Sequence, residues 1–133
     1  MLKILITSYT ILLSFFVEHW IGVVGFPCYE VSTFGRVRNV ITQNLLSPKY
    51  DKDGYQSLGI YNSNGKRKFF QVHRLVAFAF IPNPNNLPEV NHFDFQKDNN
   101  FYLNLEWSTR LLNMQHYYKS KRDDQYGHAS KVA

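Results

Sequence analysis

Between Val90 and His116 the chain carries polar side chains at intervals that few local folds can use. Asn91-His92-Phe93-Asp94 is followed by Asn99-Asn100, then by Asn104-Leu105-Glu106-Trp107, and finally by Asn113 and His116. Val90-Asn91-His92 reads as the end of a strand, and Asn104-Leu105-Glu106-Trp107 as its return strand. Ser108-Thr109 is placed to cap a helix from about Arg110 to Tyr118, because a hydroxyl there satisfies N–H groups that open the helix. Asn113 then lies about one turn inside, facing back toward His92. The pattern predicts a strand, a long loop, a strand and a helix, a ββα unit. Its imidazole and amides meet a helix N-terminus, a combination suited to an anionic substrate and a hard cation.

Composition narrows the partner. The 133 residues make one ordinary domain or two very small ones. Lys and Arg total 15 against 10 Asp and Glu, a net charge of +5, and the sequence pI is near 9.4. Such a balance favours an anionic partner, nucleic acid ahead of a membrane surface. A single cysteine, Cys28, excludes an internal disulfide and a cysteine-rich zinc site, and it is expected to be packed rather than reactive. Met1 to Val17 is apolar but interrupted by Thr7-Ser8-Tyr9-Thr10 and Ser14, short of what a spanning helix needs. No small-residue cleavage site follows it, so it reads as an extension, with neither secretion nor a membrane partner expected.

From Trp20 to Val40 short strands alternate with turns at Gly25-Phe26-Pro27 and Phe34-Gly35. Arg36 and Arg38 share a face opposite Val37, either as a solvated sheet face or as phosphate contacts. Tyr55 to Tyr61 and Lys68 to Val72 form an expected hairpin across Asn62-Ser63-Asn64-Gly65. Lys66, Arg67 and Lys68 sit at its tip and return arm, where they can track a DNA backbone. Most of Tyr55, Tyr61, Phe69 and Phe70 are expected in the core. His73 to Phe80 reads as a buried helix ending before Pro82. His73 and Arg74 at its start suggest a structural hydrogen bond or a phosphate contact. Lys119 onward reads as a charged, mobile tail.

Phosphodiester hydrolysis requires an aligned water, an acceptor for its proton, and positive charge near the phosphorane, and the ββα unit offers residues suited to these roles. His92 is the natural general base, since its ordinary pKa lies near working pH. Asn104, across the ribbon, can hold either the loop or the ring. Asn91 and Asn113 offer carbonyl oxygens to one divalent ion, and oxygen donors without thiolate indicate Mg²⁺, with Mn²⁺ as a substitute. His116, one turn beyond Asn113, can touch the phosphate or a metal-bound water, or can simply pack.

These residues resemble the HNH motif of phage-type HNH homing endonucleases. Trp20 to Val40, with Tyr29-Glu30-Val31-Ser32-Thr33-Phe34-Gly35-Arg36-Val37-Arg38, resembles the NUMOD-type module that precedes that motif. The resemblance implies an α+β fold, an N-terminal β-hairpin module followed by a ββα-metal nuclease unit. Residues 1–17 would be an apolar extension, 18–65 the β-rich DNA-binding module, 66–118 the HNH nuclease domain, and 119–133 the tail. It implies a metal-dependent endonuclease acting on double-stranded DNA inside a cell, with no small-molecule cofactor, and a monomer is expected. His92 falls on the family's general base, Asn104 on its middle asparagine, Asn91 and Asn113 on its metal-binding positions. Arg36, Arg38, Lys66, Arg67, Lys68 and Arg74 are the expected DNA contacts. Two departures support an alternative, a DNA-binding protein with a degenerate, inactive site. Phe95 stands where relatives usually have Gly, so a positive φ there would strain the loop. Phe101 stands where they usually have a basic residue. Leu112 replaces a frequent Glu, so Thr109 lacks the reciprocal capping bond.

Overall fold

The structure, a computed structural model, describes residues 11–129. The apolar extension therefore falls mostly outside the described residues, apart from a short exposed helical segment over 11–16. Among the described residues, no helix is long and apolar enough to cross a membrane.

Three small antiparallel sheets surround one buried helix. β1 (Trp20–Val23), β2 (Phe26–Ser32) and β3 (Val37–Asn39) form the first; β4 (Lys49–Tyr50), β5 (Gln56–Tyr61) and β6 (Arg67–Gln71) form the second. Helix α1 (Val72–Phe80) follows directly, then the two-stranded ribbon of β7 (Glu89–His92) and β8 (Leu105–Ser108), and finally α2 (Arg110–Ala129). The α+β class agrees with the expectation, with several small antiparallel sheets.

Alternation along the strands decides what goes inside. Val31 and Val37 face in from the first sheet, Leu58 and Ile60 from the second, and Val90 and Leu105 from the ribbon, all buried. They close on Val72, Leu75, Val76 and Ala77 of α1, which packs against all three sheets. Fully burying one such side chain contributes about 1.5–3 kcal/mol, so a charge at Val76, wholly inaccessible, would be expected to unfold the chain. Helix α1 ends where Ile81, before Pro82, takes an extended conformation, as a residue preceding proline does.

The same alternation corrects one expectation. Tyr61 and Phe69 are not core: they are 48% and 69% exposed. Leu58 and Ile60 take the inward positions of β5, so Gly59 and Tyr61 face out, and pairing sets Arg67 opposite Tyr61 and Phe69 opposite Gly59. Phe70 does turn in, edge-on to Phe26 at 5.0 Å.

The chain also departs from expectation after Tyr118. Instead of ending there, α2 runs on to Ala129, because Lys119 to Gln125 contains no proline or glycine to stop it. Its start is as expected: Thr109 Oγ1 accepts the Leu112 N–H at 3.3 Å.

Gly35 ties the first sheet to the long β7–β8 loop. Its φ of +77° puts it in the left-handed region, and a Cβ there would lie 2.5 Å from Asn100 Cβ. Only glycine lets the two backbones approach this closely. Beside this contact, Tyr102 N–H donates to Thr33 O at 2.9 Å.

Candidate active site

Ribbon register divides the functional residues between two faces. Pairing sets Asn91 opposite Glu106 and His92 opposite Leu105. Since successive strand residues alternate, Glu89, Asn91 and Glu106 face α2, while His92 faces the core with Val90 and Leu105. The faces meet at an open cleft of about 510 Å³, where Glu89, Asn91, His92, Asn113, His116, Lys97 and Arg110 all contribute to the wall.

His92 is only 4% exposed, so it presents a limited part of its ring to that cleft. Its Nε2 lies 3.1 Å from Asn100 Oδ1, and Asn100 Nδ2 donates to Gln56 Oε1 at 2.9 Å. With the amide nitrogen engaged by Gln56, Asn100 presents a carbonyl oxygen, which can only accept. The His92 proton is therefore assigned to Nε2, leaving a lone pair on Nδ1. Burial pushes the His92 pKa below the usual histidine range, against the Asn100 hydrogen bond and the Asp94 and Asp98 carboxylates, which pull it up. The ring is thus kept neutral and able to accept a proton. Behind it stand His73, edge-on at 5.1 Å, and Tyr55, stacked at 6.0 Å. His73 is buried with its Nδ1 unpartnered. Burial first, then His92 and Arg74, push its pKa down to about 3.

Of the two roles open to Asn104, the geometry selects the loop. Its Nδ2 donates to Asp94 Oδ1 at 2.8 Å and to Asn99 O at 2.9 Å, and its Oδ1 accepts from Asp94 N–H at 3.1 Å. The ring is held instead by Asn100, which the sequence reading missed; the only signal was the doubled asparagine in a polar loop. Burial acts to raise the Asp94 carboxyl, but hydrogen bonds from Asn99, Gln96 N–H and Asn104 outweigh it and hold its pKa below the usual range.

Asn91 and Asn113 both come to the cleft. Asn91 Nδ2 lies 3.0 Å from Glu106 Oε1 and 3.1 Å from His116 Nδ1. Asn113 Nδ2 donates to Glu89 Oε2 at 2.6 Å. With both amide nitrogens engaged, the carbonyl oxygens remain, and Asn113 Oδ1 is buried without a partner. An orphaned buried carbonyl is costly, and it is what an oxygen-seeking cation would satisfy. Among the described residues no three side chains drawn from His, Cys, Asp and Glu are grouped to hold a metal; Asn91 and Asn113 are amide donors on the cleft wall. Amide oxygens of this kind suit a hard divalent cation.

His116 contacts Asn91, and its ring stacks on Phe95 at 4.0 Å and 19°. Phe95 does adopt a left-handed φ of +63°, so the strain expected from the missing glycine is present. Phe101 packs against Phe34 and Tyr102, at 5.6 and 5.3 Å between ring centroids.

The expected DNA contacts sort into three groups. Arg36 is held in a two-point ion pair by Glu18, and Arg38 pairs with Glu30 at 2.7 Å; both guanidiniums also lie over Trp20. Arg74 donates to Pro88 O at 3.0 Å. Lys66, Arg67 and Lys68 are exposed, and Arg67 lies over Phe69 at 4.7 Å. The three hairpin cations have no carboxylate partner among the described residues.

Residues 18–61 match the family model described as the NUMOD4 motif. An uncharacterized HNH endonuclease of Acanthamoeba polyphaga mimivirus is 44% identical over 93 residues, 70% of this chain and 28% of the viral protein. The DNA endonuclease I-HmuI of Bacillus phage SP01 is 40% identical over 87 residues, 65% of this chain and 49% of its own. The chain thus spans half or less of the length of these curated relatives. A solved structure of the HNH homing endonuclease I-HmuI, from work on its DNA binding and cleavage, is similar at a TM-score of 0.66 and 34% identity, over 86% of this chain and 66% of that one. Sequence and fold agree: the chain belongs to the HNH homing endonuclease family, with a NUMOD4 motif ahead of the ββα unit.

Proposed function

We propose that this chain is a metal-dependent endonuclease that hydrolyses phosphodiester bonds of double-stranded DNA, with His92 as general base and Asn91 and Asn113 holding one Mg²⁺ or Mn²⁺. The observation that carries the reading is one cleft wall containing a neutral imidazole with an unclaimed Nδ1 and an asparagine with an orphaned carbonyl. When bound, such an ion supplies positive charge to the phosphorane and the departing oxygen.

The chain's own residues supply the rest. His92 Nδ1 takes the proton of the attacking water, while Asn100 fixes the tautomer and ring angle, so no reorientation is needed during reaction. Asn104 pins the loop that carries Asp94 and Asn99. Lys97 and Arg110, both on the cleft wall, draw phosphate toward it. Lys66, Arg67 and Lys68 hold the flanking DNA backbone, and the exposed Tyr61 and Phe69 lie beside them. The strained Phe95 favours a second reading, a DNA-binding protein with an inactive site.

Nicking of supercoiled plasmid separates the two. The proposal expects open-circular product with Mg²⁺ or Mn²⁺ and none with EDTA. DNA retention on a gel without product under either metal would establish the second reading instead.

A further inference from the structure

Two neutral amides are weak ligands for a divalent cation, and hard cations prefer carboxylate oxygen. The ribbon places a carboxylate behind each of them. Glu89 and Asn91 are two residues apart on β7 and share a face, with Glu106 across from Asn91 on β8. Glu106 Oε1 takes the Asn91 Nδ2 hydrogen at 3.0 Å, and Glu89 Oε2 takes that of Asn113 at 2.6 Å. A carboxylate can only accept, so each pairing dictates which end of the amide faces away from it, and in both cases that end is the carbonyl oxygen. The consequence is visible at Asn113, whose Oδ1 is buried and unpartnered. Neither glutamate has a cationic partner within salt-bridge distance among the described residues.

We infer that Glu89 and Glu106 are positioning residues for the cation: each fixes the orientation of one asparagine ligand, polarises its carbonyl, and adds negative charge that the amides lack. This rests on the proposed function and extends it to two residues outside the motif's asparagines and histidines. The arrangement follows the general rule that groups hydrogen-bonded to metal ligands set ligand geometry and basicity. His116 assists on one side, because its Nδ1 takes the second Asn91 hydrogen. The two glutamates are not equivalent to ligands, since each touches an amide nitrogen.

The test is Mn²⁺ binding to the full-length protein on a short DNA duplex, read from the loss of the free-ion EPR signal, with Glu89→Gln, Glu106→Gln and the corresponding Ala and Asp variants. Each Gln variant is expected to weaken Mn²⁺ about ten- to hundredfold, Ala at least as much, and Asp, which keeps the charge, less. DNA affinity in EDTA should stay within about twofold, and nicking at saturating Mn²⁺ should recover to near the wild-type rate, a split that a structural defect would not produce. Urea melts identify any variant that fails to fold, and the Asp variants then carry the comparison. Mn²⁺ affinity unchanged in both Gln variants, or a lowered nicking plateau at unchanged affinity, overturns the inference. A wild-type complex that takes up no Mn²⁺ overturns the proposed metal site itself, a separate result.

Discussion

Replacing Phe95 by Gly and by Ala isolates the strain in the β7–β8 loop. Phe95 has a φ of +63°, a region that costs a residue with a Cβ about 1–2 kcal/mol. Its ring lies on His116 at 4.0 Å, and an aromatic stack of this kind is worth about 0.5–1.5 kcal/mol. Ala keeps the strain and loses the stack, so it should destabilise by about 1 kcal/mol. Gly loses the stack and the strain together, but loosens the unfolded chain by about 0.4–1 kcal/mol. The sum leaves Gly close to wild type and about 0.5–1 kcal/mol more stable than Ala. At an ordinary negative φ the order is reversed, because Ala there exceeds Gly. Equilibrium urea unfolding resolves the difference: with an m-value of about 1.5 kcal/mol/M, the Gly midpoint should lie about 0.5 M above that of Ala. An Ala variant as stable as Gly would refute the left-handed loop. A Gly variant well above wild type would show that the Phe95–His116 stack contributes nothing.

Three further outcomes follow from the same geometry. His73 has its pKa lowered to about 3 by burial, so the unfolded state takes up a proton that the folded state refuses between about pH 6.5 and 3. Stability should therefore fall with pH in that window, by up to about 1.4 kcal/mol per unit from this histidine; equal urea midpoints at pH 7 and pH 5 would contradict it. Asn100→Ala removes the acceptor from His92 Nε2 and should lower kcat by roughly tenfold or more while leaving DNA affinity in EDTA near wild type; an unchanged kcat would show that the ring needs no such hold. If about five phosphates are neutralised, log K should fall against log salt with a slope of about −4.5, and Arg67→Ala should flatten it by about 0.9; an unaltered slope would remove Arg67 from the DNA surface.

Much of the site was legible because its parts follow short-range rules. The runs ending at His92 and beginning near Leu105 read as a strand and its return, and the Thr109 cap fixed the start of α2, which put Asn113 one turn in. What escaped depends on contacts between distant residues. Arg36 reads as an open cation until Glu18 meets it across the sheet. Asn100 acquires its role from the path of the loop that brings it against Gly35 and under His92. Tyr61 and Phe69 were misjudged for a different reason: aromatic residues in a strand suggest burial, yet the alternation of Leu58 and Ile60 had already assigned the inward face. The end of α2 could not be read at Tyr118, since the charged residues after it suit a solvated helix as well as a tail.

The assignment of the chemistry to His92 is tested most directly by single-turnover plasmid nicking in Mn²⁺ with wild type and His92→Ala at equal bound DNA. Loss of the general base should slow the variant by about 10²–10⁴-fold with DNA affinity retained. Nicking by His92→Ala at the wild-type rate would place the reaction elsewhere.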